Sequence, residues 1–204
     1  MAKIKICGIT NISDALLACK LGADAIGFVF AKSPRKISIE TAKKIILKMP
    51  PFVSKVGVFS NQDVEFVNNA VKKCRLDYVQ LHGDETTDFC RKINANVIKA
   101  FRVFKGFNVD LLKNFKDFYI LLDTFSNKVY GGTGTTFDWN VALKAKKICK
   151  NLILSGGLNE KNLLKALKIV RPWAVDLSSG VEISPGRKSA EKLKKVISIV
   201  KCNL

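Results

Sequence analysis

The sequence alternates eight times between a short apolar run and a segment with helical spacing, and this pattern restricts the fold more than any other feature. The apolar runs lie at residues 3–9, 25–30, 54–59, 78–83, 96–101, 119–124, 152–157 and 174–182. Such runs are typical of buried parallel strands covered by helices. Eight strand–helix units favour closure over an open doubly wound sheet, so we predict a single-domain α/β fold, a (β/α)8 barrel over residues 1–204.

The composition is that of a globular protein with one large core. The chain has 204 residues, and 48% of them are hydrophobic. No apolar run reaches the roughly 18 residues that span a bilayer, and no secretory signal peptide is visible. Six cysteines are scattered without CxxC spacing, which indicates neither a disulfide framework nor a zinc site. We therefore expect no membrane partner and a cytoplasmic location.

The formal net charge of +18 raises the question of nucleic-acid binding. The lysines are dispersed along polar helix faces, and the sequence has no arginine-rich block or low-complexity tail. Dispersed positive charge serves solubility and attracts small anionic ligands. We expect no nucleic-acid partner, and we keep a non-catalytic basic binding protein as the alternative from a different functional class.

Two glycine-containing turns end the last two apolar runs, at residues 152–157 (LILSGG) and 174–182 (AVDLSSGVE). Glycine lets the backbone approach a ligand closely, and its N–H groups can point at an anion. A helix that follows such a turn adds the positive end of its dipole. The pattern predicts a phosphate-binding site made by Gly156, Gly157, Ser179 and Gly180.

Polar side chains stand where several predicted strands end, and barrel enzymes carry their active sites at that face. Cys7 precedes a glycine and is either a structural thiol or a base or nucleophile acting as thiolate. Asp123 ends an apolar strand, where burial would favour the protonated form of a general acid. The other candidates are Arg35, Gln80, His82, Arg102 and Asp176.

Arg35 follows Pro34 in a polar loop that we expect to be exposed, and its planar fork suits a substrate carboxylate. His82 is the only histidine, too few for a zinc site of the usual kind. GxGxxG and GxxxxGK[ST] motifs are absent, which disfavours dinucleotide and P-loop folds. An acid and a base beside a phosphate site predict isomerisation of a sugar phosphate with no metal and no cofactor.

Ten segments of the chain resemble the phosphoribosylanthranilate isomerases of tryptophan biosynthesis, in the same order and spacing. They are KICGIT at 5–10, GFVF at 27–30, SPRKI at 33–37, VGVF at 56–59, VQLHG at 79–83, LLDT at 121–124, GGTGTTFDW at 131–139, LSGGL at 154–158, VDLSSGVE at 175–182 and PGRKS at 185–189. The resemblance implies a barrel of the ribulose-phosphate-binding type.

The resemblance further implies an Amadori rearrangement in which Asp123 is the general acid and Cys7 the general base. It assigns Arg35 to the anthranilate carboxylate and places Gln80, His82 and Asp176 near the substrate. The phosphorylated substrate would lie on the two glycine turns described above. Both a monomer and a homodimer fit the apolar faces of the chain.

Two departures from the family pattern are visible, at Thr135, where a basic residue is usual, and at Ser189, where an acidic residue is usual. The glycine-rich segment at 131–136 is expected to close over the substrate.

Alternatives within the same fold are indole-glycerol-phosphate synthase, ribulose-phosphate epimerase and the aminoaldose isomerase of histidine biosynthesis. The synthase has a lysine–glutamate pattern and an N-terminal extension that this chain lacks, and the epimerase needs metal-binding histidines. The isomerase of histidine biosynthesis has an aspartate where this chain has Cys7.

Overall fold

A computed structural model describes residues 2–124 and 138–202, and in these ranges eight parallel strands close into a barrel in sequence order. The strands are β1 Lys3–Ile6, β2 Ala25–Val29, β3 Ser54–Phe59, β4 Tyr78–Leu81, β5 Asn96–Val103, β6 Tyr119–Thr124, β7 Leu152–Leu154 and β8 Ala174–Leu177. The predicted (β/α)8 barrel is confirmed.

Helical segments lie between successive strands. The α-helices are α1 Ile12–Leu21, α2 Ile39–Ile46, α3 Val64–Cys74, α4 Thr87–Arg91, α5 Trp139–Ile148, α6 Leu163–Val170 and α7 Ala190–Cys202. A 3₁₀ helix, Val109–Phe115, takes the place of an α-helix between β5 and β6. No helix in the described part of the chain is long and apolar enough to cross a membrane.

The chain after β8 is more elaborate than its apolar pattern indicates. A short 3₁₀ helix, Ser179–Val181, leads into the hairpin strands β9 Glu182–Ser184 and β10 Arg187–Lys188. Only then does α7 begin, at Ala190. Ser189 precedes it and accepts a hydrogen bond at Oγ from the N–H of Lys192 at 3.3 Å, so this departure from the family pattern caps the last helix.

Side chains alternate between the two faces of the barrel wall, because successive residues of a strand point in opposite directions. Ile4, Leu122 and Val175 belong to the large apolar layer between strands and helices. Leu121 and Ile153 belong to a second, smaller cluster. This second set alternates with the first along the same strands, so it fills the barrel interior.

The pairing of β1 with β8 closes the barrel and sets its register. Lys5 lies opposite Asp176, and Ile6 lies opposite Leu177. The backbone N–H of Cys7 continues this ladder by donating to the oxygen of Leu177 at 2.8 Å. The first and last strands therefore end side by side, and the residues that follow them share one end of the barrel.

A buried ion pair holds the β4–α4 loop against β5. Lys99 donates from Nζ to Glu85 Oε2 at 2.8 Å, and the two side chains are only 4% and 2% exposed. Glu85 also accepts from the backbone N–H of Asn61 at 2.8 Å and of Gly83 at 3.0 Å. The pair therefore ties together two loops at the carboxyl ends of neighbouring strands.

We expect Lys99→Met to destabilise the protein by about 3–5 kcal/mol, because it leaves the Glu85 carboxylate buried without its cation. Urea unfolding followed by circular dichroism measures this change. Lys113→Met is the matched control, since the pair of Lys113 with Asp110 is exposed and such pairs contribute little. Equal midpoints for the two variants would contradict the importance of the buried pair.

Candidate active site

Cys7 and Asp123, the two residues predicted to do the acid–base chemistry, both lie at the carboxyl end of the barrel. Cys7 directly follows β1 and is buried. Asp123 is the penultimate residue of β6, and its side chain is 28% exposed. Asp123 is therefore less buried than we expected from its apolar strand. It lies at the rim, where the barrel end opens to solvent.

The Cys7 thiol lies in a buried, charged environment. Burial raises the pKa of Cys7 above its ordinary value of 9.0, and the positive charges of Lys5 and Lys188 offset this only in part. Gly27 leaves room for the sulfur, because a Cβ at Gly27 would lie 2.7 Å from Cys7 Sγ. The thiol is therefore positioned as a weak acid beside two cations that stabilise its thiolate once formed.

Lys5 crosses the interior of the barrel beneath Cys7. Its Nζ donates to Asp176 Oδ2 at 2.9 Å and to Gln80 Oε1 at 2.8 Å. Because β1 and β4 are not neighbouring strands, the bond to Gln80 must pass through the interior. Burial lowers the pKa of Lys5, but the charges of Asp176 and Cys7 outweigh it and raise the pKa overall.

Gln80, His82 and Asp123 continue this chain of contacts toward the rim. Gln80 Nε2 lies 3.3 Å from His82 Nδ1, and His82 Nε2 lies 3.3 Å from Asp123 Oδ2. The other carboxylate oxygen of Asp123 accepts from the N–H of Thr124 at 2.8 Å. Predicted site residues from β4 and β6 are thus joined directly.

Asp176 and Gln80 lie deeper than the rim, at 5% and 2% exposure. Both are engaged by Lys5, and within the described ranges Asp176 Oδ1 is buried without a hydrogen-bond partner. Their contacts are therefore with the protein, and a direct role in holding substrate stays a prediction.

Arg35 is paired with Glu182, which follows the 3₁₀ helix after β8. Arg35 donates from Nε to Glu182 Oε1 at 2.9 Å and from Nη2 to Oε2 at 2.6 Å. The expectation of an exposed loop arginine is wrong, because Arg35 is only 8% exposed. The bond to Glu182 raises the pKa of Arg35. Glu182 occupies the edge of the guanidinium that is formed by Nε and Nη2.

Glu182 is held by a second cation, Lys188. Lys188 Nζ donates to Glu182 Oε1 at 2.8 Å and to the carbonyl oxygen of Cys7 at 2.6 Å. Burial raises the pKa of Glu182, but Arg35 and Lys188 together bring it below its ordinary value. The carboxylate therefore stays ionised and fixes Arg35 near Cys7.

Four backbone N–H groups stand at the ends of β7 and β8, in Gly156, Gly157, Ser179 and Gly180. Across residues 2–124 and 138–202, none of them donates a hydrogen bond to the protein. Gly156 and Gly157 have φ of +86° and +64°, a region that favours glycine. The helix expected directly after Gly157 does not begin there. It is α6, which begins at Leu163, so the positive end of its dipole lies further along the chain.

Close packing brings these two turns together. A Cβ at Gly180 would clash with the carbonyl oxygen of Leu158, and one at Gly156 would clash with Thr124. Glycine is therefore required at both positions for the turns to approach each other and β6. The arrangement places backbone N–H groups of the turns after β7 and β8 close together, as anion binding requires.

A cavity of about 610 Å³ opens beside His82, with Arg102 and several phenylalanines in its wall. Arg102 Nη2 donates to the backbone oxygen of His82 at 3.2 Å.

In the part of the chain that the structure describes, no group of three or more His, Cys, Asp or Glu is placed to hold a metal ion. The segment at 131–136, with Thr135, lies outside the described residues.

Sequence reasoning missed Lys5, Glu182 and Lys188, which hold the predicted residues in place. One pattern indicates Lys5, a charged residue between two isoleucines of a strand. Its place on the same face as Cys7 follows from the two-residue period of a strand. Glu182 shows the same pattern, because it stands between Val181 and Ile183. Lys188 does not, because it stands between Arg187 and Ser189.

These features define the class of protein, a (β/α)8-barrel enzyme with its polar site at the carboxyl ends of the strands. A family model described as N-(5'phosphoribosyl)anthranilate (PRA) isomerase matches residues 4–199. The chain therefore belongs to the N-(5'-phosphoribosyl)anthranilate isomerase family, and it is an isomerase. The resemblance found in its ten sequence segments is confirmed.

A curated isomerase of this family from Trichlorobacter lovleyi is 50% identical over 198 residues, which cover 97% of each chain. The crystal structure of phosphoribosyl anthranilate isomerase from Thermotoga maritima has a TM-score of 0.94 and 46% identity, and covers 99% of this chain and 100% of that one. Another solved isomerase is a complex with reduced 1-(o-carboxyphenylamino)-1-deoxyribulose 5-phosphate, with a TM-score of 0.90, 44% identity and coverage of 99% and 100%.

A further Thermotoga maritima structure is of monomers generated from a dimeric isomerase. It has a TM-score of 0.88 and 42% identity, and covers 98% of this chain and 99% of that one. A dimeric isomerase therefore occurs among the relatives of this chain.

Proposed function

We propose that this chain converts N-(5-phosphoribosyl)anthranilate into 1-(2-carboxyphenylamino)-1-deoxyribulose 5-phosphate, a step of L-tryptophan biosynthesis, by an acid–base Amadori rearrangement without metal. The family match over residues 4–199 is the observation that carries this proposal. The charged groups at one end of the barrel support it, because the reaction moves protons at the ribose ring oxygen and at C2.

Asp123 is the general acid of this mechanism. It donates a proton to the ribose ring oxygen, the C1–O bond breaks, and the ring opens to a Schiff base. Its position at the rim, with a side chain 28% exposed and 3.3 Å from His82, suits exchange of that proton with solvent. A positioned acid of this kind typically contributes about 10²–10⁴-fold in rate.

Cys7 is the general base, acting as thiolate. It removes the proton from C2 of the Schiff base, which gives an enolamine that tautomerises to the ketone. Lys5 and Lys188 lower the pKa of the thiol against the larger effect of burial. They therefore supply positive charge where the thiolate forms.

Arg35 binds the anthranilate carboxylate through the edge of its guanidinium that Glu182 does not use. The bonds to Glu182 engage Nε and Nη2, which leaves Nη1 and the second Nη2 hydrogen as a fork for an incoming carboxylate. Gly156, Gly157, Ser179 and Gly180 bind the phosphate through their backbone N–H groups. Gln80, His82 and Asp176 lie near the bound substrate.

The chain acts as a monomer or a homodimer, and its reaction takes place in the cytoplasm. All six cysteines are free, which supports a reducing compartment.

We expect Cys7→Ala and Asp123→Asn each to lower turnover of phosphoribosylanthranilate by about a hundredfold or more, since each removes a positioned base or acid. Steady-state fluorescence of the anthranilate group measures the rate, with and without EDTA. Cys202→Ala is the matched control, because Cys202 is an exposed residue of α7. A variant of Cys7 or Asp123 that keeps parental turnover would remove that residue from the mechanism.

The raised pKa of Cys7 predicts how the ionisation of this thiol responds to pH. Burial raises the pKa of Cys7 above its ordinary value of 9.0, so the thiol is mostly protonated at neutral pH. We expect the fraction of Cys7 thiolate to rise by about tenfold per pH unit between about pH 6.5 and 8.5. The ultraviolet absorbance of the thiolate, measured as the difference between the parent and Cys7→Ala, follows this fraction. A thiolate already fully formed at pH 7 would contradict the raised pKa.

We expect Gly180→Ala to raise KM by about tenfold or more and to abolish thermal stabilisation by inorganic phosphate, because the added methyl group displaces the turn that binds the anion. Differential scanning fluorimetry with phosphate measures the binding. Ser198→Ala is the control, since Ser198 lies in α7, away from both turns. Retained phosphate binding in Gly180→Ala would place the anion elsewhere.

A further inference from the structure

Lys5, Gln80 and His82 form a line of hydrogen-bonding groups that ends at Asp123. Lys5 Nζ lies 2.8 Å from Gln80 Oε1, Gln80 Nε2 lies 3.3 Å from His82 Nδ1, and His82 Nε2 lies 3.3 Å from Asp123 Oδ2. The protonation state of each group restricts the next, so the line can be followed from its buried end.

The buried end is unambiguous, because an ammonium group has donors and no acceptor. The Gln80 atom that faces Lys5 must therefore be the amide oxygen. Lys5 is ionised, since Asp176 accepts a second hydrogen bond from it at 2.9 Å and its pKa is raised despite burial. A flipped Gln80 would place its NH₂ group against the ammonium.

With its oxygen on Lys5, Gln80 presents its NH₂ group to His82. An amide nitrogen only donates, so His82 Nδ1 must be the acceptor and carries no proton. A neutral imidazole with a bare Nδ1 has its proton on Nε2. That nitrogen lies 3.3 Å from Asp123 Oδ2, at the rim of the barrel.

We propose that Lys5 and Gln80 are positioning residues that hold His82 as the neutral Nε2–H tautomer, so that His82 presents a protonated nitrogen, and not a bare one, to the carboxyl of Asp123. The effect of this tautomer on catalysis rests on the proposed role of Asp123 as general acid. The assignment of the tautomer does not rest on that role.

The neutral tautomer suits a general acid better than either alternative. An imidazolium beside Asp123 would favour the ionised carboxylate and oppose its protonation. An Nδ1–H tautomer would present a bare Nε2 to Asp123, which repels a carboxylate and competes for the proton of a carboxylic acid. An Nε2–H donor orients one oxygen and lets the carboxyl gain and lose its proton.

The direct test is ¹⁵N NMR of the full-length, untagged protein labelled with [¹⁵N]histidine. His82 is the only histidine, so the imidazole signals belong to one residue. We expect Nδ1 to resonate as an unprotonated nitrogen and Nε2 as a protonated one, near neutral pH and without substrate. A proton on Nδ1, an imidazolium or an exchange average of tautomers overturns the proposal.

Gln80→Glu supplies the second test, because it keeps the size of the side chain and replaces the donor to Nδ1 by an acceptor. We expect His82 Nδ1 to become protonated and kcat to fall by about tenfold or more, while KM changes by less than about threefold, since a misassigned tautomer impairs chemistry rather than binding. An unchanged spectrum and an unchanged kcat overturn the proposal.

Gln62→Glu is the matched control, the same substitution in the loop before α3, where Gln62 contacts Ser60 and Phe30. It should leave the imidazole spectrum and kcat as in the parent. The NMR result also separates this inference from the proposed function. A parent without isomerase activity but with the Nε2–H tautomer contradicts the function alone, and an active parent with another tautomer contradicts this inference alone.

Discussion

Closure of the sheet between its first and last strands is the constraint on which the site depends. The register of β1 on β8 places Lys5 opposite Asp176, 171 residues apart in the sequence. The same register sets Cys7 beside the turn that begins at Ser178. Because all eight strands are parallel, every strand ends at the same rim, and residues from distant segments meet there.

The interior of this barrel is charged at the site and apolar below it. Leu121, Ile153 and Ala174 belong to the smaller apolar cluster, while Lys5 and Asp176 form an ion pair with side chains 5% and 6% exposed. Burying such a pair costs solvation free energy that its attraction repays only in good geometry. The large apolar layer between strands and helices supplies the stability that permits this arrangement.

Two buried cations organise the end of the barrel that carries the candidate active site, and both lie near the Cys7 thiol. Lys188 contacts the carbonyl oxygen of Cys7 and the carboxylate of Glu182, which in turn fixes Arg35. Lys5 supports Gln80 and, through it, His82 beside Asp123. Arg35 and His82 are therefore held in place by buried charged groups that do not react in the proposed mechanism.

The sequence by itself determined the barrel, since strand and helix periodicity are local properties that repeat eight times. It also indicated Cys7, Asp123 and the two glycine turns, because each stands where an apolar run ends. Only the tertiary structure decided that Arg35 is buried against Glu182, 147 residues away, and that Lys5 reaches Gln80 across the interior. These contacts depend on strand register, barrel closure and the β9–β10 hairpin, none of which is encoded in the pattern of any single segment.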